Sequence, residues 1–183
     1  PSNAQVPEPK PEDLPHLVRV LLIGPHGSGK TALRRAALHQ PFTTVYKPGF
    51  LSKHETYMHI NGVSVPVELW DATEESWPAV EQLLVDVVLV CLDIANPKGI
   101  DYIRQAPYFQ TLLKRQWDMP VVVVGCKDDL RSTEHPSKLL PERGVLSWTE
   151  SMQLTYTECS AKNGDVETVL KIVGMIVVSN ERS

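Results

Sequence analysis

"LIGPHGSGKTAL", Leu22 to Leu33, decides the fold of this chain. Inside it, Gly24–Thr31 reads G-x-x-x-x-G-K-[ST]. The β-branched apolar run Leu17–Ile23 precedes it, and a helical pattern over Thr31–His39, stopped by Pro41, follows. A strand before and a helix after turn a glycine-rich turn into a phosphate-binding loop. Backbone N–H groups of Gly24, His26, Gly27, Ser28 and Gly29 are expected to close around phosphate oxygens, helped by the positive end of the helix dipole. Lys30 is expected to reach the β- and γ-phosphates, and Thr31 to ligate magnesium.

Moving outward, short apolar runs alternate with helical patterns. Val65–Trp70, Val85–Asp93 and Val121–Gly125 are β-branched and too short for helices, as buried parallel strands should be. Ser52–Ile60 and Thr155–Cys159 add two weaker strands. Helices are expected over Tyr102–Trp117, where Pro107 disturbs the start, and over Val166–Ser179. In the second, Val166, Val169, Leu170, Val173, Ile176 and Val177 form one apolar stripe. The expected fold is α/β: a mostly parallel six-stranded sheet with helices on both faces and ligands at the carboxyl ends of the strands.

Composition narrows the classes. The chain has 183 residues, 42% hydrophobic and 22% charged, which suits a single globular domain. A net charge of -4 argues against a nucleic-acid partner. No apolar run approaches the ~20 residues of a membrane span, and no signal peptide is visible. Cys91, Cys126 and Cys159 lack metal-ligand spacing and read as free thiols in a reducing, cytoplasmic compartment. Residues 1–16 are proline-rich and poor in apolar side chains, so they read as a disordered tail, with a folded domain over 17–180. The last residues, "SNERS", carry no prenylation motif, so membrane anchoring is not expected.

Three further motifs follow in order: "VELWDAT" (Val67–Thr73), "VVVVGCKDDL" (Val121–Leu130) and "ECSAK" (Glu158–Lys162). With the phosphate loop they make the chain resemble a Ras-superfamily small GTPase, a P-loop G domain, across nearly all of 17–180. "QPFTTVYKPGF" (Gln40–Phe50) and "DLRSTEHPSKLL" (Asp129–Leu140) are similar to the first switch and the insert of the Rho branch. The insert, within residues 131–158, is short, which implies an offshoot of that branch. The resemblance implies bound GTP or GDP with Mg2+. Asp129 would accept from guanine N1 and N2, which adenine cannot match. Lys127 would pack its stem on the base, and the Ala161 N–H, flanked by Ser160 and Lys162, would meet guanine O6. Phe42 would stack on the guanine, Tyr46 would close over the phosphates, and Asp71 would hold magnesium through water. A protein effector, or other domains of the same protein, would be the partner.

Departures from the family pattern carry the functional content. Gly49 stands where the resemblance implies a threonine that senses the γ-phosphate, and glycine offers no side-chain oxygen. Glu74 and Glu75 stand where the second switch has glycine and the water-orienting glutamine, so Glu75 would bring negative charge toward the γ-phosphate. His26 fills a loop position where the family prefers glycine and would obstruct an arginine finger. Cys126 replaces the asparagine of the guanine motif, and a thiol is a weak hydrogen-bonding group. The expectation is a guanine-nucleotide-binding, GTPase-deficient signalling or scaffolding domain with no intact catalytic set. Two alternatives stay open: a nucleotide-free pseudoGTPase interaction module, and an active GTPase using His26 or Glu75 to handle water.

Overall fold

The computed structural model describes residues 14, 17–44, 49–60, 62–115 and 119–180. Its elements follow the apolar runs closely. The strands are β1 (Val18–Ile23), β2 (Leu51–Ile60), β3 (Val63–Ala72), β4 (Val87–Asp93), β5 (Val121–Cys126) and β6 (Thr155–Cys159). The helices are α1 (Lys30–Ala37), α2 (Trp77–Val80), α3 (Gly99–Gln105), α4 (Pro107–Arg115), α5 (Leu130–Thr133), α6 (Glu142–Ser151) and α7 (Glu167–Asn180).

The six strands form one sheet in the order β2-β3-β1-β4-β5-β6. β2 runs antiparallel to β3, and every other pair is parallel. The strand period of two sends alternate residues to opposite faces. Val18, Val20 and Leu22 of β1 pack with Leu33 and Ala37 of α1 and with Val169, Val173 and Val177 of α7. Leu21 and Ile23 pack on the other face with Ile103, Tyr108, Phe109, Leu112 and Trp148. Helices therefore cover both faces, as expected. β1 lies between β3 and β4, so the chain leaves it to one side and later returns to the other. That makes its carboxyl end the switch point where α/β sheets bind ligands.

Three local expectations need correction. The helix expected over Tyr102–Trp117 is two helices, broken at Ala106, whose extended φ/ψ of −67°/129° is what a following proline imposes. Trp117 itself lies outside the described residues. Helix α6 was not anticipated, although Val145, Trp148 and Thr149 show the i, i+3, i+4 spacing of a buried helical face. Leu14, assigned to the proline-rich tail, is buried in the β1 core layer, while the other residues of 1–16 lie outside the described set.

Candidate functional site

The loop after β1 is built around backbone shapes that side chains resist. Gly24 has φ +148°, and a Cβ there would lie 2.4 Å from the Cys91 carbonyl oxygen. Gly29 has φ +107°, and its Cβ would meet the Cys126 Cβ at 2.7 Å. Both glycines are thus required by conformation and by close approach. Lys30 opens α1 with its side chain buried, and its Nζ donates to the carbonyls of Gly24 (2.6 Å) and Pro25 (2.9 Å). The amine is pinned under the loop that it would share with a phosphate. Ser28 is buried, and its Oγ has no hydrogen-bond partner. An orphan hydroxyl beside the loop fits a phosphate ligand.

The base side comes from the ends of β5 and β6. Asp129 Oδ1 accepts from Ser160 Oγ at 2.7 Å, and Lys162 Nζ lies 3.8 Å from Asp129 Oδ2. Lys127 adopts φ +71°, and its Nζ donates to Asp93 Oδ2 at 2.6 Å. Arg131 forks onto Glu158, with Nε and Nη2 each 2.5 Å from a carboxylate oxygen, and so ties α5 to β6. Cys126 does not reproduce an asparagine's tie to the phosphate loop. Its Sγ donates to Val124 O at 3.7 Å, and its link to Gly29 is packing alone. Contact with Cys126, then burial, pushes the Cys159 thiol up, so it stays protonated at neutral pH. All three cysteines are buried and free.

The hydrolytic side differs from the simple expectation of two carboxylates facing a phosphate. Glu74 turns toward the α3–α4 layer, where its Oε2 accepts from Tyr102 Oη at 3.0 Å. Burial and then Glu74's charge push the phenol of Tyr108 up as well. Glu75 is solvent-exposed, and its own backbone N–H and the Thr73 hydroxyl, aided by Lys30 and His26, hold it below the usual carboxylate range. It is therefore ionised, with solvent screening its charge. Glu75 remains unsuited to replace glutamine, because a carboxylate cannot donate to the phosphate. Gly49 and Phe42 sit at the cleft wall, Phe42 half-exposed, and Tyr46 lies outside the described residues.

The remaining corner holds Thr31 and Asp71. Thr31 Oγ1 donates to Asp71 Oδ2 at 2.9 Å, so the two expected metal-site residues converge. The same Oδ2 also carries an ion pair with Arg34 Nε at 3.2 Å. Arg34 Nη1 lies 2.5 Å from His54 Nε2. Burial, then the Arg34 charge, holds His54 below its usual pKa, so the neutral ring accepts from Arg34. Magnesium demands oxygen ligands at about 2.0–2.1 Å in octahedral array. Here the acidic oxygen already meets a cation and a hydroxyl, and Gly49 offers no side chain. This corner does not fit the metal well.

One cleft of about 860 Å³ gathers these groups. Gly24, His26, Gly27, Gly29, Lys30, Thr31, Phe42, Gly49, Asp71, Glu74, Glu75, Lys127, Asp129, Ala161 and Lys162 all line it. Ser28 and Ser160 stand behind its wall, both buried. Sequence reasoning missed Arg34, His54, Asp93 and Tyr102. Arg34 had a usable signal, since it follows Thr31 by three residues and so shares its face of α1. The other three come from separate elements and gave none.

Comparison with known proteins agrees with this geometry. The family model described as "Ras family" matches residues 19–177. The chain is 27% identical over 159 residues to the GTP-binding protein RHO1 of Candida albicans, covering 80% of each chain. It is 27% identical over 179 residues to the human Rho-related GTP-binding protein RhoD, covering 89% of this chain and 84% of that one. The mouse Rho-related GTP-binding protein RhoF is 25% identical over 191 residues, covering 97% and 90%.

Proposed function

Because the chain belongs to the Ras family and is a Rho-like small GTPase domain, we propose that it holds a guanine nucleotide but hydrolyses GTP very slowly or not at all. It would then act as a signalling or scaffolding domain in the cytoplasm, presenting a surface to a protein effector or to other domains of its own protein. The observation that carries this is the division within one cleft. The phosphate and base groups, Lys30, Thr31, Lys127, Asp129, Ala161 and Lys162, line the same space as Gly49, Glu74, Glu75 and His26. Grip is retained where orientation of water is altered.

The grip is specific in kind. The Gly24–Thr31 loop supplies backbone donors and Lys30 supplies charge for phosphates. Asp129, held by Ser160, supplies the paired acceptor that guanine satisfies. Chromatography of nucleotide released from denatured, freshly purified protein tests the binding, and single-turnover GTP hydrolysis tests the deficiency. Co-purified GTP, or slow turnover of loaded GTP, is the expected result. A nucleotide-free interaction module is favoured by one observation: Lys30 is satisfied by the loop's own carbonyls. Protein that neither carries nor takes up guanine nucleotide would establish that second function instead.

A further inference from the structure

One corner of this cleft holds an arginine beside the expected metal-site residues. Thr31 and Arg34 lie three residues apart on α1 and reach the same carboxylate of β3. Both members of the Arg34–Asp71 pair are sheltered, with side chains 12% and 11% exposed. His54, on the strand paired with β3, holds the far end of the guanidinium through Nη1. Arg34 Nε is buried and has no hydrogen-bond acceptor, its contact with Asp71 being an ion pair only. Arg34 also lines the cleft, as do Thr31 and Ser52. It is therefore a sheltered positive charge on the cleft wall, its Nε held toward Asp71 and its Nη1 toward His54.

We infer that the Arg34 guanidinium stands in for the divalent cation, balancing Asp71 and donating to the nucleotide's phosphates, so that guanine nucleotide is held without magnesium. This rests on the nucleotide-holding function proposed above. The chemistry suits the exchange. A guanidinium is permanently charged, planar and weakly hydrated, and it binds phosphate oxygens by directed hydrogen bonds. A divalent ion would have to displace it from Asp71 or share a sheltered site with a like charge, and both oppose binding. Gly49 fits the same account, since a site without the ion needs no threonine to complete its coordination.

The test loads the parent with a fluorescent GDP and follows its release with excess magnesium and with chelator. Release from the parent should differ by less than about tenfold between the two, the size of one lost contact. Arg34→Met should release GDP about ten- to a hundredfold faster in chelator. Added magnesium should slow release from that variant, because Thr31 and Asp71 are freed. Arg34→Lys, which keeps the charge, should stay insensitive to chelator. A purely structural ion pair would instead change melting while leaving the cation dependence unaltered, and that outcome overturns the inference. Should Arg34→Met fail to fold, Mn2+ decides on the parent: its free-ion paramagnetic resonance signal should persist when GDP-loaded protein is added. Quenching of that signal at stoichiometric protein, or release about a thousandfold faster on chelation, refutes the role of Arg34 while leaving nucleotide binding intact. A parent that takes up no GDP refutes the nucleotide-holding function itself, and this inference with it.

Discussion

Ser160 Oγ donates to Asp129 Oδ1 at 2.7 Å, so the end of β6 aims a carboxylate that the end of β5 supplies. The bond is part-buried and links two loops thirty-one positions apart in sequence. Ser160→Ala should leave the Asp129 carboxylate free to rotate. GDP affinity should fall by about three- to tenfold, the worth of one positioning hydrogen bond. Isothermal titration checks this, and an unchanged affinity would show that Lys162 alone suffices to hold Asp129.

Removing the gripping groups themselves should do more. Lys30→Ala deletes the cation beneath the phosphate loop, and Asp129→Ala deletes the proposed partner of guanine N1 and N2. Each should lower GDP and GTP affinity by at least about a hundredfold, since each ends charge-assisted bonds in a sheltered site. The same calorimetry, with ATP as control, reads the outcome. Equal binding of ATP by the parent would remove Asp129 from its proposed role.

Hydrolysis should be recoverable only by several changes together. Glu75→Gln alone should restore little, because Glu74 stays tied to Tyr102 and His26 stays in the loop. The triple change His26→Gly, Glu74→Gly and Glu75→Gln should raise single-turnover hydrolysis well above the parent, with strong non-additivity. Rapid hydrolysis by the parent that His26→Ala abolishes would instead identify His26 as a catalyst.

Arg131 should be a stability residue. Its fork to Glu158, with further bonds from Nη1 and Nη2 to the Leu140 carbonyl, joins α5, the segment before α6, and β6. Arg131→Ala would leave Glu158, 13% exposed, without its cation. Urea unfolding should show a loss of about 2–3 kcal/mol, discounted from a fully buried pair because Arg131 is partly solvated. A loss below about 0.5 kcal/mol would place the fork among ordinary surface pairs.

Much of this was legible in the sequence because it depends on local pattern. The strands were visible from β-branched runs, and their ends lay within a few residues of the observed ones. The phosphate loop was legible because glycines at fixed offsets answer a backbone requirement, seen directly at Gly24 and Gly29. What escaped was the direction of side chains. Glu74 was expected as a carboxylate in place of the second switch's glycine, yet a tyrosine from α3, distant in sequence, captures it. Arg34 could be placed on the Thr31 face of α1 by its spacing, but no pattern in α1 reveals that Asp71 of β3 and His54 of β2 will face it. Pairings between elements are set by topology, and a single chain read in order does not display them.

The Tyr102–Glu74 bond has a consequence for how such a domain could be controlled. One hydrogen bond of this kind is worth about 1 kcal/mol, enough to bias the second switch roughly fivefold toward its α3-bound form. That bias acts whichever nucleotide lies in the cleft, because neither Tyr102 nor Glu74 needs a phosphate to make it. A domain with this latch and the slow hydrolysis proposed above would not act as a timer. Its output would be set by abundance: how much protein is made, how long it survives, and how crowded its neighbourhood is with partners.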